Sequence, residues 1–140
     1  MSLSIRNQIP GTVTAITPGE AMATVKVRLD GGQELTAAIT VEAVADLGLA
    51  EGSAVRALIK STEVSLATEP VGAGLSIRNR LPGKVTGIAM GGAMASVKVT
   101  VEGGELTAAI TKDAATDLGL EAGSSVTALV KSTEVSLAAG

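Results

Sequence analysis

Apolar and polar residues alternate along much of this chain, and the alternation runs twice through the same order. From Met22 to Leu29, the apolar Ala23, Val25, Val27 and Leu29 interleave with Thr24, Lys26 and Arg28. That period of two predicts a strand with one wet face. Thr12 to Thr17 predicts an earlier strand, stopped by Pro18-Gly19. Pro10 lacks an N–H, so pairing is expected to begin after it. Asp30-Gly31-Gly32 is a hairpin turn signal, and Gln33 to Ile39 predicts a third strand. The period then changes. Thr40 reads as a helix N-cap, with Glu42 in the first turn where the helix dipole favours an anion. The helix Val41 to Leu47 is expected to stop at Gly48. Val55, Ala57 and Ile59 alternate with Arg56, Leu58 and Lys60 in a fourth strand, and Glu63 to Ala67 forms a short fifth.

The second round follows in the same order: strands at Lys84–Ile88, Ala95–Val101 and Glu105–Ile110, a helix from Lys112 to Leu118 capped by Thr111, then strands at Val126–Lys131 and Glu134–Leu137. The expected domains are residues 1–68 and 75–140, joined by a linker over 69–74. The order β-β-β-α-β-β in about 65 residues is that of the OB-fold. The predicted class is all-β with one short helix per repeat: two tandem five-stranded Greek-key barrels.

Composition narrows the chemistry. The chain has no Phe, Tyr, Trp, Cys or His among its 140 residues. The core therefore rests on Val, Ile, Leu and Ala, with the four Met residues expected as gap-fillers inside it. Units of this size with such light side chains bury little area each, so an oligomer is expected. Without Cys there are no disulfides or thiolate metal sites. Without His the usual transition-metal ligand and the usual neutral-pH base are missing, and the carboxylates are scattered singly, so no enzyme is expected. A net charge of -3 argues against bulk nucleic-acid binding, as does the absence of aromatic stacking platforms. The repeat is already under way at Leu3 and no apolar run reaches membrane-span length, so a cytoplasmic location is expected.

Two blocks carry the candidate chemistry. Leu3-Ser4-Ile5-Arg6-Asn7 returns as Leu75-Ser76-Ile77-Arg78-Asn79, and Lys60-Ser61-Thr62-Glu63-Val64 returns as Lys131-Ser132-Thr133-Glu134-Val135. In an extended segment Ser4 and Arg6 share a face, with Ile5 turned inward and offering its backbone N–H. Arg supplies five planar donors and a permanent charge. Asn7 can fix a turn or donate to a ligand. Taken singly, Arg6 reads as a surface ion pair, and Lys60 or Lys131 as a solvated edge charge. Their joint return, while Thr17, Arg28 and Ala50 have become Ala89, Thr100 and Glu121, points to a small tetrahedral oxyanion. Thr40 and Thr111 are helix caps first, and a helix N-terminus also suits an anion.

The opening Ser-x-Arg-Asn, the Gly-x-Val after it, the Thr before the short helix, the Leu-Gly-Leu-x-x-Gly turn and the closing Lys-Ser-x-x-Val resemble the Mop domain of molbindins. The resemblance covers both repeats and so describes a tandem, two-Mop molbindin. It implies an OB-like fold, molybdate or tungstate bound at interfaces between Mop units, no organic cofactor, and a homotrimer of two-domain chains. Carried onto this sequence it implies ligand groups at Ser4, Ile5, Arg6, Asn7, Thr40, Lys60 and Ser61, and at Ser76, Ile77, Arg78, Asn79, Thr111, Lys131 and Ser132, with each Thr coming from a neighbouring unit. Ile5 and Ile77 stand where the family usually has Ala, and the Pro-Trp often found after the closing Lys-Ala is absent. The function it implies is intracellular molybdenum storage. The alternative is an oxyanion-sensing regulatory or transport-associated module that acts through a protein partner.

Overall fold

The computed structural model describes residues 2–140; Met1, the first residue of the expected first domain, lies outside them. The first repeat forms β1 (Asn7–Pro18), β2 (Met22–Leu29), β3 (Glu34–Thr40), α1 (Val41–Asp46), β4 (Ala54–Ile59), a 3₁₀ turn (Ser61–Glu63) and β5 (Ser65–Ala67). The second forms β6 (Asn79–Met90), β7 (Met94–Val101), β8 (Gly104–Thr111), α2 (Lys112–Asp117), β9 (Ser125–Val130), a 3₁₀ turn (Ser132–Glu134) and β10 (Ser136–Ala139). The result is two curled, five-stranded antiparallel sheets of OB type, each with one short helix.

The fifth strand of each sheet comes from the other repeat. The strand orders are β10-β4-β1-β2-β3 and β5-β9-β6-β7-β8. Ser136 to Ala139 pair with Leu58 to Val55, and Ser65 to Ala67 with Leu129 to Thr127. Periodicity predicts that residues around 65 and 136 are strands, but it carries no information on which neighbour they choose.

Glu63 and Glu134, expected to open the fifth strands, close the 3₁₀ turns instead, and two larger departures shape the first strand of each repeat. β1 begins at Asn7, not after Pro10, and pairs with β4 from Asn7↔Ile59 to Thr12↔Ala54. Its pairing with β2 begins only at Gly11. Pro10 therefore sits where the strand has a neighbour on one side, and its missing N–H need not break a ladder. The second departure is a bulge between Val13 and Ala15, repeated between Val85 and Gly87. A bulge bends a strand and increases its twist. It lets one twelve-residue strand serve β4 with its first half and β2 with its second.

The buried face matches the alternation. Val25, Val27, Leu29 and Leu35 in the first sheet, and Val97, Val99 and Leu106 in the second, are at most 1% exposed. They belong to one apolar cluster that spans both repeats. The three methionines among the described residues do not join it, and the fourth, Met1, lies outside them. Met22, Met90 and Met94 are 47%, 50% and 46% exposed. Parity explains two of them: Met22 shares the outer face of β2 with Thr24, Lys26 and Arg28, and Met94 begins the outer face of β7. Both helices end as their sequences predict. In α1, Gly48 N–H donates to Ala45 O and Leu49 N–H to Val44 O, with Gly48 at φ 61°. This is the paired C-terminal closure that a left-handed residue permits. Among the described residues no helix is long and apolar enough to cross a membrane.

Candidate oxyanion site

Strand register builds the site. Asn7 pairs with Ile59, so the residues just beyond them, Arg6 and Lys60, leave the sheet side by side. The chain then turns tightly after Lys60, because Glu63 N–H donates back to Lys60 O at 2.9 Å. Ser4, Ile5, Arg6, Lys60, Ser61 and Thr62 line a cavity of about 250 Å³. The second repeat repeats the construction: Asn79 pairs with Val130, and Ser76, Ile77, Arg78, Lys131, Ser132 and Thr133 line a cavity of about 230 Å³.

The electrostatics of each cavity are one-sided. Two cations and three hydroxyl-bearing side chains line it, and no carboxylate does. Among the described residues the one ion pair is Lys26–Glu34, at 4.0 Å on the outer face, so Arg6, Lys60, Arg78 and Lys131 have no acidic partner. Two close cations without a counter-charge repel each other, and an anion between them removes that cost. The hydroxyls point the same way. Ser61 Oγ and Ser132 Oγ are buried and have no hydrogen-bond partner. An orphaned buried hydroxyl is costly unless a ligand or water satisfies it. The donor set fits a small oxyanion: cationic N–H groups, hydroxyls, and no lining carboxylate to repel it.

Four expected site residues lie elsewhere or do something else. Asn7 is 2% exposed and lines neither cavity. Its side-chain amide donates from Nδ2 to Thr107 O (2.9 Å) and accepts at Oδ1 from Thr107 N–H (2.8 Å). Asn79 does the same to Thr36, at 2.9 and 2.7 Å. Each Asn thus fastens the start of its own β-strand to the third strand of the other repeat. Thr40 and Thr111 line neither cavity within one chain. They cap their helices, Thr40 Oγ1 accepting from Ala43 N–H at 3.0 Å and Thr111 Oγ1 from Ala114 N–H at 3.1 Å. Thr62 and Thr133 do line the cavities, although neither is among the ligand groups expected from the sequence. The signal was present, since both lie inside the repeated Lys-Ser-Thr-Glu-Val block.

Among the described residues no cluster of three or more His, Cys, Asp or Glu could hold a cation. The architecture is that of a tandem OB-type protein, and each of its two cavities carries the donor set that a small oxyanion needs. Comparison with known proteins agrees: the TOBE domain model matches residues 3–66 and 75–137. The chain belongs to the TOBE-domain family, as a molbindin-type protein with two Mop domains in tandem. It superimposes on the solved structure of the cytoplasmic molybdate-binding protein ModG, in a form with molybdate bound, with a TM-score of 0.96 and 40% identity over 100% of both chains. It is 39% identical over 139 residues to the molybdenum transport protein ModE of Herbaspirillum seropedicae, covering 99% of this chain and 52% of that protein. It is 41% identical over 136 residues to the molybdenum-pterin-binding protein MopB of Rhodobacter capsulatus, covering 96% of this chain and 50% of that one. The chain therefore spans about half the length of these two relatives.

Proposed function

We propose that this protein binds molybdate, or the similarly shaped tungstate, as a non-catalytic cytoplasmic store or buffer of the anion. The observation that carries the reading is the orphaned serine hydroxyl, Ser61 Oγ or Ser132 Oγ, in a cavity with two unpaired cations. The full-length likeness to ModG, described as cytoplasmic and molybdate-binding, supports the choice of anion and location. In the proposed site, Arg6 and Lys60 offset the charge of the dianion. Ser4 and Ser61 hydroxyls and the Ile5 backbone N–H match its oxygens. Ser76, Ile77, Arg78, Lys131 and Ser132 do so in the second repeat. Asn7 and Asn79 act by holding the loop that carries the arginine.

Thr40 and Thr111 complete sites only if another copy brings them there. The proposed assembly is a homotrimer, and the exposed Met22 and Met94 fit that assignment. Each is the strand partner of one of these threonines, Met22 of Thr40 and Met94 of Thr111, so an apolar residue accompanies each threonine at the surface.

Calorimetric titration of the anion-free protein with molybdate, tungstate and sulfate tests the reading. Strong heats for the first two and a weak one for the smaller sulfate are expected. Equal or absent heats for all three would overturn it. The match to half of ModE favours one other reading, an oxyanion-sensing module that acts through a protein partner. A partner that co-purifies only in the presence of molybdate would favour that reading over storage.

A further inference from the structure

The two cavities are lined by the same residue types, but the loops that form them are held differently. In the first repeat, Gln8 Nε2 donates to Ile5 O at 3.1 Å. Among the described residues no other side chain bonds the segment before β1, and that segment makes no main-chain bond to the rest of the chain. In the second repeat the position of Gln8 is taken by Arg80. Its guanidinium donates to four main-chain carbonyls: Nε to Ile77 O (3.1 Å), Nη1 to Val71 O (3.2 Å) and Gly72 O (2.9 Å), and Nη2 to Leu75 O (2.6 Å). Gly72 and Gly74 themselves stand in open space, since a Cβ added at either would meet nothing within 4 Å.

We infer that Arg80 is a positioning residue that pre-orders the loop Leu75–Arg78 and makes the second cavity the tighter of the two oxyanion sites. The inference rests on the oxyanion reading above. A peptide unit is planar, so fixing its carbonyl fixes the N–H on the opposite side. Holding Leu75 O sets the direction of Ser76 N–H, and holding Ile77 O sets that of Arg78 N–H. The Ile77 N–H lies in the peptide between those two fixed planes. The peptides on either side of the proposed Ile77 donor are thereby held before a ligand arrives, which narrows the directions open to its N–H. The first repeat fixes one of these planes, so Ser4 and Ile5 must be ordered when the anion binds, and that ordering weakens affinity. Only a planar fork can hold several carbonyls at once in this geometry, which an ammonium does not reproduce.

Molybdate titrations of the full chain test this in two backgrounds. Arg6→Ala leaves the second cavity as the competent one, and Arg78→Ala leaves the first. Arg80→Gln, which copies the first repeat, is expected to weaken binding about tenfold in the Arg6→Ala background, the loss expected when one more residue must be ordered on binding. In the Arg78→Ala background it is expected to leave affinity within about twofold, a difference too small to count as lost pre-ordering. Arg80→Lys keeps the charge and is expected not to rescue. Rescue by lysine would show that charge alone matters and would overturn the inference. So would equal losses at both cavities, the mark of a residue that merely supports the fold. If the unmodified chain binds molybdate and Arg80→Gln changes neither cavity, this inference fails alone. If the unmodified chain binds no molybdate, the oxyanion reading fails and takes this one with it.

Discussion

Ser61 shows how one atom can separate stability from function. Its Oγ is buried without a partner, as is Ser132 Oγ in the other repeat. A buried hydroxyl that has lost water and gained nothing costs about 1 kcal/mol or more. Ser61→Ala removes that cost, so the anion-free protein is expected to melt slightly higher, by roughly 2–4 °C. The same change removes a donor to the proposed ligand and is expected to weaken molybdate binding at that cavity by about tenfold. Opposite signs in the two measurements, melting by calorimetry and affinity by titration, are the expected outcome. A lower melting point for the anion-free variant would mean that the hydroxyl has a partner in the unliganded protein, and the argument for a ligand would lose its main support. Most structural residues lose both quantities together. A residue that lowers stability in order to bind is expected at a functional site.

At the scale of elements, the asparagines do the joining. Asn7 and Asn79 each make two hydrogen bonds to a single residue of the other repeat's third strand. The 3₁₀ turns behind them also cross over, Ser61–Glu63 packing on β8 and Ser132–Glu134 on β3. Asn7→Ala leaves the part-buried Thr107 N–H and C=O without their partner, a loss of about 3 kcal/mol. The melting point is expected to fall by roughly 10 °C. Affinity is expected to fall less than in Arg6→Ala, because Asn7 acts by placing Arg6. A change in affinity as large as that of Arg6→Ala, with no loss of stability, would instead make Asn7 a direct ligand. This division of labour also marks what the sequence could and could not reveal. The alternation in β2 and the Thr40 cap are local properties, and both elements fall where the pattern predicts. The bulge after Val13 and the entry of Pro10 into β1 depend on which strands flank the chain there, and a pattern read along one strand does not contain that. Asn7 was legible as a repeated residue but not as a fastener, because its partner Thr107 is a hundred positions away in the chain. The Arg6 and Lys60 blocks were legible as a site because duplication wrote them twice.

For the whole molecule, the exchanged strands decide how it unfolds. β5 leaves the first repeat to complete the second sheet, and β10 leaves the second to complete the first. The hairpin tips also meet closely: a Cβ at Gly31 would lie 2.5 Å from the Glu102 carbonyl carbon and from Gly103 N. Neither repeat then owns a complete sheet, and the apolar core is one cluster spanning both. A tandem repeat of independent domains would melt in two steps, with a core mutation in one repeat shifting only one of them. Here a single transition is expected, with calorimetric and van't Hoff enthalpies in agreement for the dissociated chain. Val97→Ala, a truncation of a fully buried side chain in β7, is expected to cost about 2–3 kcal/mol. It should move the whole transition downward by roughly 7–10 °C without splitting it. Two resolved transitions, one of them untouched by Val97→Ala, would show that the repeats fold separately and that the exchanged strands are dispensable to each. The same coupling bears on binding. The two cavities sit at the junctions of strands with crossed turns, so an anion that orders one cavity stabilises elements drawn from both repeats. Under saturating molybdate the Val97→Ala transition is therefore expected to rise as one, keeping its single step.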